Sequence, residues 1–325
     1  MAGRRVALYF AWSRPDEVAA PLGVLENRFP ALFEVRRMFW PRFEQFADPA
    51  KFDQGVGGFL DNIQLTNFQM FADLAASWTG NPVRRAERRT DAGLHPLDAE
   101  FLAGVDTLVI ISFDSSRTGQ QANEAEIGAI RSFLDDPDHT LFVCPHHDIG
   151  DADDLPEGER LARQEVEFRH HGDPGVPARQ RFGDFGLSLL NALGLQVRNR
   201  FGLRPAKLPD GSPAPLEIDA ALDLAGLMEG VTTFNLHPHL PHLERLGDSL
   251  GKLDVLARQP IDLGAPAHPF TAGGRRDFDA LLQARPGLFP GRLLICDTTT
   301  WSSTVGGLGS LQRFWRNAVQ HGRPR

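Results

Sequence analysis

The chain has 325 residues, 42% apolar and 23% charged, a balance that calls for a packed core and excludes wholesale disorder. A net charge of −8 argues against a phosphate-backbone partner, and no run approaches the ~20 apolar residues of a membrane span. With only Cys144 and Cys296, a disulfide framework is not expected and a reducing cytoplasm is the default compartment.

The first strand is expected at Arg5–Trp12 (RVALYFAW), followed by a helix from about Asp16, where Asp16 and Glu17 suit the positive N-terminal end. Phe33–Trp40 reads as a second strand. From Leu60 to Trp78 the residues Leu60, Ile63, Leu65, Phe68, Phe71, Leu74 and Ala75 recur at helical intervals, and Gly80, Asn81 and Pro82 stop the helix. The basic group Arg84, Arg85, Arg88 and Arg89, bracketed by Pro82, Asp91 and Gly93, reads as a solvated loop.

The alternation resumes at Asp106–Phe113 (DTLVIISF), whose near-continuous apolar character fits a strand buried on both faces. Asn123–Leu134 is amphipathic through Ile127, Ile130, Phe133 and Leu134, and Asn123 with Glu126 forms a capping pair at its start. Thr140–Val143 is the next inner strand. The segment 151–180 is charged, holds Gly and Pro and lacks apolar periodicity, so it is expected to be an excursion or lid. Beyond it come a helix at Phe182–Leu193 stopped by Gly194, strands at Leu195–Arg200, Val231–Asn235 and Leu253–Arg258, and a Pro-rich loop at Leu203–Pro215. Arg292–Cys296 (RLLIC) is a last buried strand, Asp297–Gly309 a polar loop and Ser310–Val319 a closing helix.

Chemistry concentrates where these strands end. CPHHDIG, Cys144 to Gly150, puts a thiol, two imidazoles and a carboxylate directly after a buried strand, and ligands of open α/β sheets bind outside such carboxyl ends. NLHPHLPH, Asn235 to His242, follows the strand-like Val231–Phe234. His237 and His239 fall on one side of an extended chain, and His242 returns to that side if Pro241 turns the backbone.

The two clusters together hold five of the chain's eleven histidines. Three or more His and carboxylate ligands suit a catalytic Zn, Fe or Mn site with an open position for water, so His146, His147, Asp148, His237, His239 and His242 are the candidate ligands of a divalent metal. His170 and His171 in the charged excursion are expected to be solvated, whereas His268 is placed to join the site from above. The run Asp297 to Thr304 with Gly306 and Gly307, and Ser115 after the Asp106–Phe113 strand, supply hydroxyls and backbone N–H groups that hold an anion or substrate, or else bond locally within turns. Thr299, Trp301, Ser302, Ser115 and His268 are the candidate substrate contacts.

The order of elements resembles the class I glutamine amidotransferase-like superfamily, most of all its trehalose-utilisation (ThuA-like) branch. DTLVIISF, EIGAIRSFL and TLFVCPHH carry the likeness, together with LMEGVTTFNLHPH, GRLLICDTTTW and LQRFWRNAV. It covers about half of the chain and is topological rather than motif-exact.

The resemblance implies one α/β domain over residues 1–325: a flavodoxin-like three-layer sandwich with a mostly parallel sheet and insertions. It also implies a cysteine nucleophile at Cys144, with His146 or His147 as base. Here no glycine flanks Cys144, and Pro145 lacks the N–H that would serve an oxyanion hole. Imidazoles also stand where the branch often carries a carboxylate, and this favours a metal.

The leading expectation is therefore a metal-dependent hydrolase of a small amide, imide or ester-like substrate, with Asp148 or a nearby His such as His146 as general base. A metal-independent cysteine hydrolase using Cys144 and a non-catalytic metabolite-binding protein are the alternatives. The expected partner is a small molecule, with no nucleic acid or membrane, and self-association is left open.

Overall fold

The computed structural model describes residues 3–18, 65–114, 118–146, 155–171, 184–237, 239–303 and 307–320. The expected strand at Phe33–Trp40 lies outside them. Strand β1 (Val6–Ser13) leads through the short helix α1 (Arg14–Val18) to α2 (Leu65–Thr79), β2 (Arg84–Thr90) and β3 (Gly93–Leu94). Then come α3 (Ala99–Leu102), β4 (Thr107–Ser112), α4 (Glu124–Leu134), β5 (Thr140–Pro145), α5 (Glu157–His171) and α6 (Asp184–Ala192). The remainder is β6 (Val197–Leu203), β7 (Glu217–Ile218), β8 (Leu240–Arg245), α7 (Ser249–Lys252), β9 (Leu253–Pro260), β10 (Asp277–Ala284), β11 (Arg292–Cys296) and α8 (Leu308–Gln320).

Among the described residues, nine strands form one sheet in the order β3-β2-β1-β4-β5-β11-β10-β9-β7, and β6 pairs with β8 in a separate ribbon. The pairings from β2 through β1, β4 and β5 to β11 are parallel, and the flanking pairs are antiparallel. The architecture is a flavodoxin-like α/β sandwich with a mostly parallel central sheet.

Alternation within the strands explains the layers. Leu8, Phe10, Val109, Ile111, Phe142 and Leu294 pack in one core with Phe68 and Phe71 of α2 and Phe314 and Trp315 of α8. Ala7, Tyr9, Leu108, Ile110, Val143 and Ile295 point the other way, to Ile130 of α4 and Leu189 of α6. A period of two sends successive side chains to opposite faces, so strands covered on both sides must be apolar throughout. Each fully buried Phe or Leu contributes about 1.5–3 kcal/mol.

Local signals fix the ends. Asn123 accepts from Glu126 N and the Glu126 side chain accepts from Asn123 N, the reciprocal cap expected for α4. Gly194 follows α6 with φ +80°, a left-handed conformation suited to glycine. The N-terminus of α6 is held by Asp114, which accepts from Phe185 N at 3.0 Å and from the Ser112 hydroxyl at 2.7 Å.

Four expectations need correction. The arginines at 84–89 form β2 rather than a loop, because pairing with β1 orders them and Arg88 turns inward onto Glu126 through two bonds of 3.1 and 3.0 Å. Within the expected excursion, Glu157–His171 is a helix. Its inward face is polar, with Gln164, Glu167 and His170 buried, and so it carries no apolar period. His170 is not solvated: Nδ1 bonds to Pro266 O at 2.7 Å and Nε2 accepts from Arg204 N at 3.0 Å, which satisfies the buried ring. Finally, Val231–Asn235 is not a strand, whereas Leu240–Arg245 is, and Pro241 sits in extended chain instead of turning it.

Candidate functional site

The carboxyl ends of β5 and β11 meet side by side. Val143 is in register with Ile295, so Cys144 and Cys296 follow as neighbours on the α2/α8 face, with sulfurs 3.7 Å apart. Two residues further on, His146 Nδ1 shares a hydrogen bond with Thr298 Oγ1. Phe113, just beyond β4, packs its ring 4.3 Å from the His146 ring, and Asn199 Nδ2 of β6 donates to the His146 carbonyl. His146 is thereby held on several sides and buried.

The second cluster reaches the same place from an irregular segment. Thr232 N and Thr233 N both donate to Ser310 Oγ at 2.9 Å, which ties the chain to the start of α8. Gly307 lies against it so closely that a Cβ there would fall 1.8 Å from Phe234 O. Asn235 then donates from Nδ2 to Thr299 Oγ1 at 3.1 Å and accepts from His237 N at 2.9 Å. Thr299 Oγ1 in turn donates to Asp297 Oδ1.

These bonds bring the His237 ring 6.5 Å from the His146 ring, and the His239 ring lies 4.2 Å from that of His237. Imidazoles sharing one tetrahedral zinc have centroids about 5 Å apart, so the spacings bracket that geometry. Among the described residues, no group of three or more His, Cys, Asp or Glu side chains is already set as a metal cage.

His147 and Asp148 lie outside the described residues, as do Ser115, Thr304 and Gly306. Of the six candidate ligands, His237 thus lies near both His146 and His239. His242 goes elsewhere: within β8 its Nδ1 accepts from Asp279 N at 3.2 Å, and its ring packs on Phe201 and Phe270. His268 sits with Glu167, 3.5 Å away, and His170, its Nδ1 accepting from Phe270 N at the turn Pro269–Thr271. It contacts that buried group.

The hydroxyl run has mainly local duties. Asp297 accepts from Thr299 N and starts the 3-10 turn Thr298–Trp301, whose end is closed by Ser302 N donating to Thr299 O. Trp301 is wholly buried against Phe71, Phe142 and Phe314. Cys144 has no accessible surface, and burial, then the adjacent Cys296 thiol, push its own thiol well above the usual value. A neutral, enclosed sulfur is a poor nucleophile.

Sequence reasoning missed Asn199, Asn235 and Phe113 as parts of this site. Asn235 carried a usable signal, since an Asn two residues before a histidine is placed to accept from its backbone N–H. Phe113 and Asn199 reach His146 through tertiary packing alone. No protein-family model matches the chain, and no curated protein matches it.

Proposed function

We propose that the protein is a metal-dependent hydrolase of a small amide, imide or ester-like substrate, with His146, His237 and His239 as the described part of a divalent metal centre. The observation that carries this reading is the approach of His237, next to His239, to His146 at the carboxyl end of β5, from a distant segment of the chain. Neutral imidazole suits Zn, Fe or Mn, which would polarise the carbonyl and bring a bound water towards a pKa of ~7. The bond from His146 Nδ1 to Thr298 is the kind of outer partner by which a ligating histidine is oriented.

Asp148, two residues beyond His146, is the proposed general base and His147 a further ligand. The sealed Cys144 weighs against a thiol mechanism and leaves the metal reading ahead of the one implied by the amidotransferase-like resemblance. Free thiols at Cys144 and Cys296 accord with a reducing cytoplasm, the proposed compartment.

The test is hydrolysis of a panel of small amides, cyclic imides and esters by purified protein, with Zn, Mn or Fe(II) and with a chelator. Turnover that is abolished by chelation, restored by one metal and lost in His237→Ala supports the reading. Turnover indifferent to chelation overturns the metal centre, and saturable binding without turnover would make the protein a metabolite binder.

A further inference from the structure

A second polar site lies around His242, on the ribbon of β6 and β8. In that ribbon Arg200 is directly opposite His242, so the two side chains share a face. The His242 ring is 5.0 Å from Phe270 and 6.4 Å from Phe201, and those two rings are themselves 5.1 Å apart. Guanidinium groups flank this aromatic trio: Arg200 lies 5.2 Å and Arg163 4.8 Å from the Phe201 ring, and Arg275 lies 4.6 Å from that of Phe270.

His242 is 91% buried, its accessible fraction being 9%, and only one of its ring nitrogens is engaged. Because Nδ1 accepts from Asp279 N, the proton of the neutral ring must reside on Nε2. That Nε2–H has no hydrogen-bond partner among the described residues. Arg200 is paired with Glu244, Arg245 with Asp279, and Arg258 with Asp277 and Asp279. Arg275 stacks on its ring with no carboxylate at ion-pair distance among the described residues. Phe201 adopts φ +63°, a conformation that costs a non-glycine residue about 1–3 kcal/mol and gathers where a site demands it.

We propose that His242 Nε2–H, with the guanidinium groups of Arg200 and Arg275 and the ring faces of Phe201 and Phe270, binds the phosphate group of a small molecule. A tetrahedral oxyanion accepts several such donors at once, and guanidinium groups pair with its oxygens two at a time. Aromatic walls beside the donors favour phosphate carried on an apolar or aromatic body over the free ion. Burial, then Arg275, Arg245, Arg200 and Arg258, hold the imidazole down to about 4, so near neutral pH it offers this one N–H. The site is independent of hydrolysis at the first histidine cluster.

The experiment titrates the full chain with inorganic phosphate and with phenyl phosphate, by calorimetry and by long-range nitrogen NMR of the histidine rings. Movement of the His242 Nε2 signal, with binding weakened at least tenfold in Arg275→Ala and in His242→Ala and unchanged in His237→Ala, supports the proposal. Tighter phenyl phosphate marks an ester-borne group as the ligand, and equal affinity marks free phosphate. Arg275 is exposed, so its variant reads the site even if His242→Ala fails to fold. Failure of both probes to bind, or binding unaltered in Arg275→Ala, overturns it.

Discussion

His146 and Thr298, 152 residues apart in sequence, are joined by a hydrogen bond from Nδ1 to Oγ1 across the ends of two adjacent parallel strands. The bond is possible because β5 and β11 run in register up to Val143 and Ile295, which sets the chain ends that follow them side by side. It orients the imidazole through an outer partner, a role that typically changes metal affinity 10–100-fold when removed. Thr298→Val should therefore weaken metal binding by one to two decades, and Thr298→Ser should retain most of it. Equal affinity in both variants, measured by competition with a chromophoric chelator, would show that the hydroxyl does not orient His146.

Gly307 controls the other half of the site. A methyl group there would collide with Phe234 O, and the residue's φ of +66° is itself unfavourable for alanine. Gly307→Ala should displace the segment leading to His237, costing at least ~1 kcal/mol of stability. It should also lower metal affinity more than a surface Gly→Ala change such as Gly273→Ala. Wild-type affinity in a folded Gly307→Ala protein would contradict this coupling.

Cys144 should be dispensable for turnover. Its sulfur is enclosed beside Cys296, and the proposed chemistry lies with the histidine cluster. Cys144→Ser should keep most of kcat and lose about 1–3 kcal/mol, since it buries a hydroxyl in an apolar setting. Trapping of a covalent substrate adduct on Cys144 by mass spectrometry would restore the thiol mechanism.

Stability should fall on acidification through His242. Its folded pKa is about 4 while the unfolded chain keeps about 6.5. Between these values the unfolded state binds more protons, so stability rises with pH across this window and is lost as pH drops from 6.5 to 4. The loss is on the order of 3 kcal/mol, levelling off below pH 4. Urea midpoints at pH 7, 5.5 and 4 should fall more steeply for wild type than for a folded His242→Asn protein. Parallel profiles would mean that His242 titrates alike in both states.

The inner strands and their helices were legible because burial on two faces leaves no choice of residue: DTLVIISF, TLFV and RLLIC could be little else. The Asn123–Glu126 cap was readable for the same local reason. What could not be read depends on long-range partners. Arg88 looks like a loop residue until Glu126 is brought beneath it, and α5 buries polar side chains that match specific acceptors, leaving no apolar stripe. The strand β10, DFDALLQA, was unmarked because Asp279 is neutralised by Arg245 and Arg258 from other elements. At the site, the sequence pointed to the two histidine clusters, but the split between His237 and His242 turns on whether Pro241 bends the chain, and in β8 it does not.

The central claim, that His146, His237 and His239 hold one divalent metal, is most directly tested by anomalous diffraction at the zinc edge from crystals grown with one equivalent of zinc. The account predicts a single strong peak about 2.1 Å from an imidazole nitrogen of each of the three residues, absent in His237→Ala crystals. No peak between these rings, or a peak elsewhere on the molecule alone, would contradict it.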